Sequence, residues 1–131
     1  MSTDLTATFE VKGWDENPQD EGDGLPKITR ASVTKDFSGD IEGSSALEYL
    51  MVYAEDGTAA FVGLERFKGT VKGRSGSFVL QHVGRFEDGA AKAALTVAPG
   101  SGTSDLKGLT GSGDFTADPK GSVKLSVSFG G

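Results

Sequence analysis

Three stretches of this chain decide its fold: ALEYLMVY at residues 46–53, FVGLERF at residues 61–67 and SFVLQHV at residues 77–83. Each is mostly apolar and rich in β-branched and aromatic residues, so the sequence predicts three consecutive long antiparallel strands. Strands this long in a chain of 131 residues favour a closed barrel, because closure removes exposed sheet edges. Each stretch also carries polar side chains near its middle, which predicts a lined pocket rather than a solid core: Glu48 and Tyr49, Glu65 and Arg66, Gln81 and His82.

The composition predicts one domain over residues 1–131 and excludes several classes of protein. A net charge of -6, without any cluster of Lys and Arg, argues against nucleic-acid binding and against an anionic membrane surface. The chain has no cysteine and one histidine, without zinc-type spacing, so we expect no metal and no cofactor. The polar N-terminus and the absence of an apolar run of about 18 residues predict a cytoplasmic protein.

The rest of the chain also alternates with period two. Further strands are predicted around residues 5–11, 28–37, 90–98 and 123–129. The Asp-Gly pairs at residues 56–57 and 88–89 predict hairpin turns, because glycine accepts positive φ. About eight strands with short connections predict an all-β, eight-stranded antiparallel up-and-down barrel. The inside of such a barrel is filled by side chains or holds one small ligand.

An acidic segment follows the first predicted strand. Residues 15–24 contain five carboxylates together with Pro18, and we expect a solvated loop beside a barrel mouth. The spacing of these carboxylates does not match the twelve-residue calcium loop.

Pairing across the predicted turns suggests which side chains enter the barrel. The turn at residues 55–57 places Tyr49 opposite Gly63, on an apolar face that includes Glu65. The turn at residues 87–89 places Gln81 near Leu95, so Glu65, Tyr49 and Gln81 are expected to converge inside. The hairpin at Gly73 leaves the register open by one residue, and a shift would bring in His82 and Arg66 instead of part of this set.

A carboxylate inside a barrel needs a hydrogen-bonding partner or has its pKa raised. The candidate partners of Glu65 are Tyr49, Gln81, Arg30 and Arg66. Glu65 could equally belong to a structural hydrogen-bond network or face solvent, and His82 could be either a base or a structural residue. Trp14 and Tyr53 lie near strand ends, where aromatic side chains either stack on a ligand or plug the barrel.

Several runs resemble a bacterial family of small proteins of unknown function that is placed with the allene-oxide-cyclase-like barrels. The runs are LEYL at residues 47–50, FVGLER at 61–66, GSFVLQH at 76–82, PGSGT at 99–103 and LKGLTG at 106–111. The resemblance implies an eight-stranded antiparallel barrel with a central cavity, often oligomeric. The plant enzyme of that superfamily cyclises a reactive lipid epoxide, but no motif of its active site aligns with this sequence.

The leading hypothesis is therefore a barrel that binds one small, mostly apolar molecule and that isomerises or cyclises it. Glu65 would be the acid, base or charge stabiliser, with Tyr49 and Gln81 as its partners. The expected ligand contacts are Phe61, Phe67, Met51, Trp14, Tyr53, His82 and Arg30. The alternatives are a non-catalytic carrier or sensor that uses the same cavity, and an interaction module with a solid core. A homo-oligomer is expected in each case.

Overall fold

The computed structural model describes residues 2–20, 24–117 and 121–130 and contains one closed barrel of eight antiparallel strands. Each strand pairs with its neighbours in sequence, and β1 pairs with β8 to close the barrel. The predicted fold class is thereby confirmed. The strands are β1 Thr3–Asp20, β2 Lys27–Gly39, β3 Ile41–Tyr53, β4 Ala59–Val71, β5 Arg74–Glu87, β6 Ala90–Val97, β7 Thr110–Ala117 and β8 Gly121–Ser128.

Alternating burial follows the period-two pattern of the sequence. Along β3 and β8, successive side chains are buried and exposed in turn, as expected when one face of a strand lines the barrel interior and the other faces solvent. The buried set forms one aromatic-rich core that includes Phe9, Phe37, Phe61, Phe67 and Phe78. A 3₁₀ turn at Ser104–Leu106 packs beside the start of β5, where it contributes the buried Leu106.

Tight hairpins set the register between strands. Lys72 and Gly73 both have positive φ (50° and 80°), and so do Asp88 and Gly89 (53° and 77°). A two-residue turn in which both central residues have positive φ has a twist that matches the twist of the two flanking strands of a β-hairpin. The register across the first of these turns pairs Val71 with Arg74, which decides the faces of β5.

The acidic segment is only partly a loop, which corrects the prediction for residues 15–24. β1 continues to Asp20, because the segment from Gly13 onward pairs with β2 as far as Ile28. A shift in register between Val11 and Gly13 lets the strand bend past the barrel mouth after its pairing with β8 ends at Phe9. Residues 21–23 lie outside the described residues.

Within the described ranges, no helix has the length and apolar character needed to cross a bilayer.

Candidate functional site

A cluster of five polar side chains lies inside the barrel, and each comes from the inward face of a strand. The five are Lys35 of β2, Ser45 and Tyr49 of β3, Glu65 of β4 and His82 of β5, with exposed fractions of 4, 6, 4, 1 and 1%. They share this face because alternate residues of a strand point to the same side. We call this set the interior cluster.

Glu65 is the centre of the interior cluster. Ser45 Oγ donates to Glu65 Oε2 at 2.5 Å, and His82 Nε2 lies 2.8 Å from Glu65 Oε1. Since a carboxylate can only accept, Nε2 carries the proton of a neutral imidazole. His82 Nδ1 then accepts a hydrogen bond from the Tyr49 hydroxyl at 3.1 Å. A continuous chain of hydrogen bonds therefore runs from Tyr49 through His82 and Glu65 to Ser45.

Lys35 supplies the positive charge of the interior cluster. Its Nζ lies 3.8 Å from Glu65 Oε2. The same atom lies 4.1 Å from the ring centroid of Phe9 and 4.9 Å from that of Phe115, so both rings make cation–π contacts with it. The ion pair joins β2 to β4, which are not neighbouring strands.

Burial and hydrogen bonding act in opposite directions on Glu65. Burial alone raises the pKa of this carboxyl, but the His82 hydrogen bond, the Lys35 charge and the Ser45 hydrogen bond bring the pKa below its usual value. Burial lowers the pKa of Lys35, and Glu65 offsets only part of that effect. Glu65 is therefore ionised at neutral pH.

The aromatic members of the interior cluster stay neutral. Burial lowers the pKa of His82, the Glu65 hydrogen bond and charge act against this, and the Lys35 charge lowers the pKa further. Burial, aided by the Glu65 charge, raises the pKa of Tyr49. Tyr49 is therefore a proton donor and His82 a neutral acceptor in the same hydrogen bond.

A cavity of about 100 Å³ lies beside the interior cluster, at the barrel end where β3 finishes and β4 begins. Lys35 and Tyr49 line it together with apolar side chains. At the rim, Trp14 is 48% exposed and its ring centroid lies 6.3 Å from that of Tyr49. We call this the mouth cavity; its remaining lining residues are Phe9, Val11, Met51, Phe61, Phe86, Ala91, Phe115 and Ala117.

Glu16 holds the extended part of β1 at the same mouth. Its carboxylate accepts hydrogen bonds from Thr29 Oγ1 at 2.6 Å, from Trp14 Nε1 at 3.0 Å and from the Tyr53 hydroxyl. Partial burial raises the pKa of Glu16, but these hydrogen bonds and the Lys27 charge together lower it. The carboxylate therefore fixes Trp14 beside the cavity.

The structure brings Tyr49, Glu65 and His82 together but places Gln81 elsewhere. Gln81 is exposed and pairs with Leu64 on the outer face, so the expected convergence of Gln81 with Glu65 is wrong. The two-residue turn at Lys72-Gly73 sets a register in which His82, not Gln81, faces inward. The predicted pairing of Tyr49 with Gly63 is confirmed.

The other predicted residues divide between the interior, the mouth and the outer surface. Met51 and Phe61 line the mouth cavity, whereas Phe67 packs deeper against other phenylalanines. Tyr53 is half-buried at the mouth. Arg30 and Arg66 are exposed and do not enter the barrel; Arg30 pairs with Glu48 on the outer face at 3.4 Å.

Two members of the interior cluster were not predicted. Lys35 alternates with Val33 and Phe37 on the inner face of β2, and Ser45 alternates with Leu47 on β3. The period-two pattern could have found both residues. Among the described residues, no group of three or more His, Cys, Asp or Glu side chains could hold a metal ion.

Together these features define a class: a closed eight-stranded antiparallel barrel with a charged, hydrogen-bonded interior beside a small mouth cavity. Residues 5–129 match the family described as "Protein of unknown function (DUF3224)", and the chain belongs to that family. A crystal structure of a DUF3224 protein of unknown function from Shewanella oneidensis MR-1 is similar over 100% of both chains, with 32% identity and a TM-score of 0.82. No curated protein matches the chain.

Proposed function

We propose that this protein binds one small, mostly apolar molecule in the mouth cavity. The observation that carries the proposal is the cavity itself, an apolar space about 100 Å³ in volume with an aromatic rim. Ligand sites are typically apolar concavities with a few placed polar groups. Lys35 and Tyr49 are such groups here.

The size of the cavity limits the ligand. An apolar cavity of about 150 Å³ accepts benzene, so a cavity of about 100 Å³ fits a shorter group or the end of a longer chain. The exposed rim residues Val11, Trp14 and Phe86 offer apolar contacts to the part of a ligand that extends out of the mouth cavity. A ligand with a short apolar end and an oxygen atom, able to accept a hydrogen bond from Lys35, suits this surface.

The Tyr49–His82–Glu65 chain favours a catalytic version of this proposal, an isomerase or cyclase. Tyr49 lines the cavity, and its hydroxyl is linked through a neutral imidazole to a carboxylate. When the Tyr49 oxygen takes a proton from the ligand, its own hydroxyl proton can pass to His82 Nδ1, and Glu65 stabilises the imidazolium that forms. A relationship to the allene-oxide-cyclase-like barrels belongs to the same proposal and agrees with the eight-stranded closure.

Binding can be measured with the only tryptophan of the chain, because Trp14 lies on the rim of the cavity. We expect 1-hexanol to change Trp14 fluorescence in a saturable way. Ala91→Leu fills part of the cavity and should weaken binding at least about tenfold, roughly what the loss of one well-packed apolar group costs. Ala94→Leu is the matched control, because Ala94 lies on the same strand but faces outward. Equal binding by both variants would contradict a site in the mouth cavity.

Native mass spectrometry of the purified protein, followed by extraction of any bound molecule, separates the remaining possibilities. A molecule recovered unchanged after incubation supports a carrier or sensor, and a converted molecule supports an isomerase or cyclase. In the second case Glu65→Gln should abolish conversion while binding persists. If neither a natural molecule nor the alcohol binds, the ligand proposal is wrong and an interaction module is favoured.

A further inference from the structure

Among the described residues that line the mouth cavity, Lys35 is the only one with a charged side chain. A buried ion pair is costly, since a Met or Leu at position 35 with an uncharged residue at position 65 would fill the same space without burying charge. The barrel supplies Lys35 with a carboxylate at 3.8 Å and with two aromatic rings. The side chain is therefore held in place rather than free to leave the interior.

We propose that Lys35 is a nucleophile that condenses with an aldehyde or ketone bound in the mouth cavity and forms an imine. The inference rests on the proposed function, because it needs a ligand in that cavity. It adds the chemical class of the ligand: a carbonyl compound with a short apolar chain.

The surroundings of Lys35 supply what imine formation requires. Attack needs the neutral amine, and because burial lowers the pKa of Lys35, its ammonium group gives up a proton more readily than that of an exposed lysine. Glu65 can accept and return protons beside the nitrogen, and it is itself held by His82 and Ser45. The Phe9 and Phe115 rings both line the mouth cavity, and their cation–π contacts hold the Lys35 amine beside it.

The reaction balances without another reactant. The neutral amine forms a bond to the carbonyl carbon, the C=O π bond breaks, and the oxygen takes a proton that the nitrogen gives up, which produces a carbinolamine. The nitrogen then loses its second proton, the oxygen leaves as water with that proton, and a C=N bond remains. Glu65, whose Oε2 lies 3.8 Å from the amine nitrogen, would carry both protons from nitrogen to oxygen.

The test uses the unmodified protein with hexanal and, for comparison, 1-hexanol at about pH 7. After reduction with cyanoborohydride, the adduct is located by peptide mass mapping. Exposed lysines are almost entirely protonated at that pH, given an ordinary pKa of about 10.4, so Lys35 should carry at least about ten times more adduct than the exposed Lys92. Equal labelling of both, or labelling of Lys92 alone, would overturn the inference.

Two variants make the result specific. Lys35→Met combined with Glu65→Gln removes both charges, so the double variant keeps a neutral interior and should fold. It should bind 1-hexanol more weakly, through the apolar lining of the cavity alone, and form no adduct at this site, while Lys92→Met should leave the Lys35 adduct unchanged. Binding of both probes without a Lys35 adduct rejects the imine and leaves the binding proposal intact. Binding of neither probe rejects both.

Discussion

The ion pair between Lys35 and Glu65 gives the sharpest prediction about stability. Removing one partner leaves the other charge buried, so Lys35→Met and Glu65→Gln should each lower the free energy of unfolding by about 3–5 kcal/mol. The double variant leaves no charge unpaired. At the observed separation of 3.8 Å, Coulomb's law with an effective dielectric constant of about 20 gives a coupling of about 4 kcal/mol.

Urea unfolding of the four proteins, followed by Trp14 fluorescence and by circular dichroism, measures this coupling as a double-mutant cycle. The double variant should be less destabilised than the sum of the single variants by about the Coulomb value. The exposed pair of Arg30 and Glu48, which is 3.4 Å apart, is the control and should couple by less than about 1 kcal/mol. Coupling in the interior that is no larger than in this control would refute the reasoning.

Three further predictions concern the same interior. Gly63→Ala should destabilise the barrel by more than about 2 kcal/mol, because a Cβ there would lie 2.6 Å from Tyr49 Cδ1; a normal urea midpoint would contradict that packing. His82→Leu leaves two hydrogen-bonding partners unsatisfied and should cost about 2–4 kcal/mol, whereas Gln81→Leu, on the outer face, should change thermal stability by less than about 0.5 kcal/mol. The pKa values of Glu65 and His82 are both lowered on folding, so the unfolded chain binds more protons than the folded protein does. The free energy of unfolding should therefore decrease as the pH is lowered, first below about pH 6.5 and further below about pH 4.3. Urea midpoints measured across that range check the slope, and a flat profile would mean that neither group is linked to folding.

The sequence was sufficient for the fold because its local signals agree with one another. Alternating strands, Asp-Gly turns and short connections leave an up-and-down barrel as the simplest arrangement, and the structure confirms it. The loop prediction for the acidic segment is wrong as far as Asp20, because its charge and Pro18 favour a loop, whereas its backbone pairs with β2. Pro18 is tolerated there because this part of β1 has no partner from β8.

The candidate site was only half predictable. Glu65 and Tyr49 were found from their apolar neighbours, but Gln81 replaced His82 because a change of one residue in a turn reverses every face that follows. Lys35 lies on the inner face that the period-two pattern of β2 defines, but its contact with Glu65 could not be predicted. Glu65 is on β4, across the interior from β2, and no spacing along the chain encodes a contact between strands that are not paired.

The seam between β1 and β8 has a consequence for synthesis of the protein. Residues Thr3–Phe9 find their partners at Gly121–Val127, so a nascent chain that still lacks β8 has two open edges. Such edges can recruit other strands, and contacts this distant in sequence form slowly. We therefore expect the barrel to close only after β8 has been synthesised. The yield of folded protein should depend on how well the open edge of β1 is protected from other strands until then.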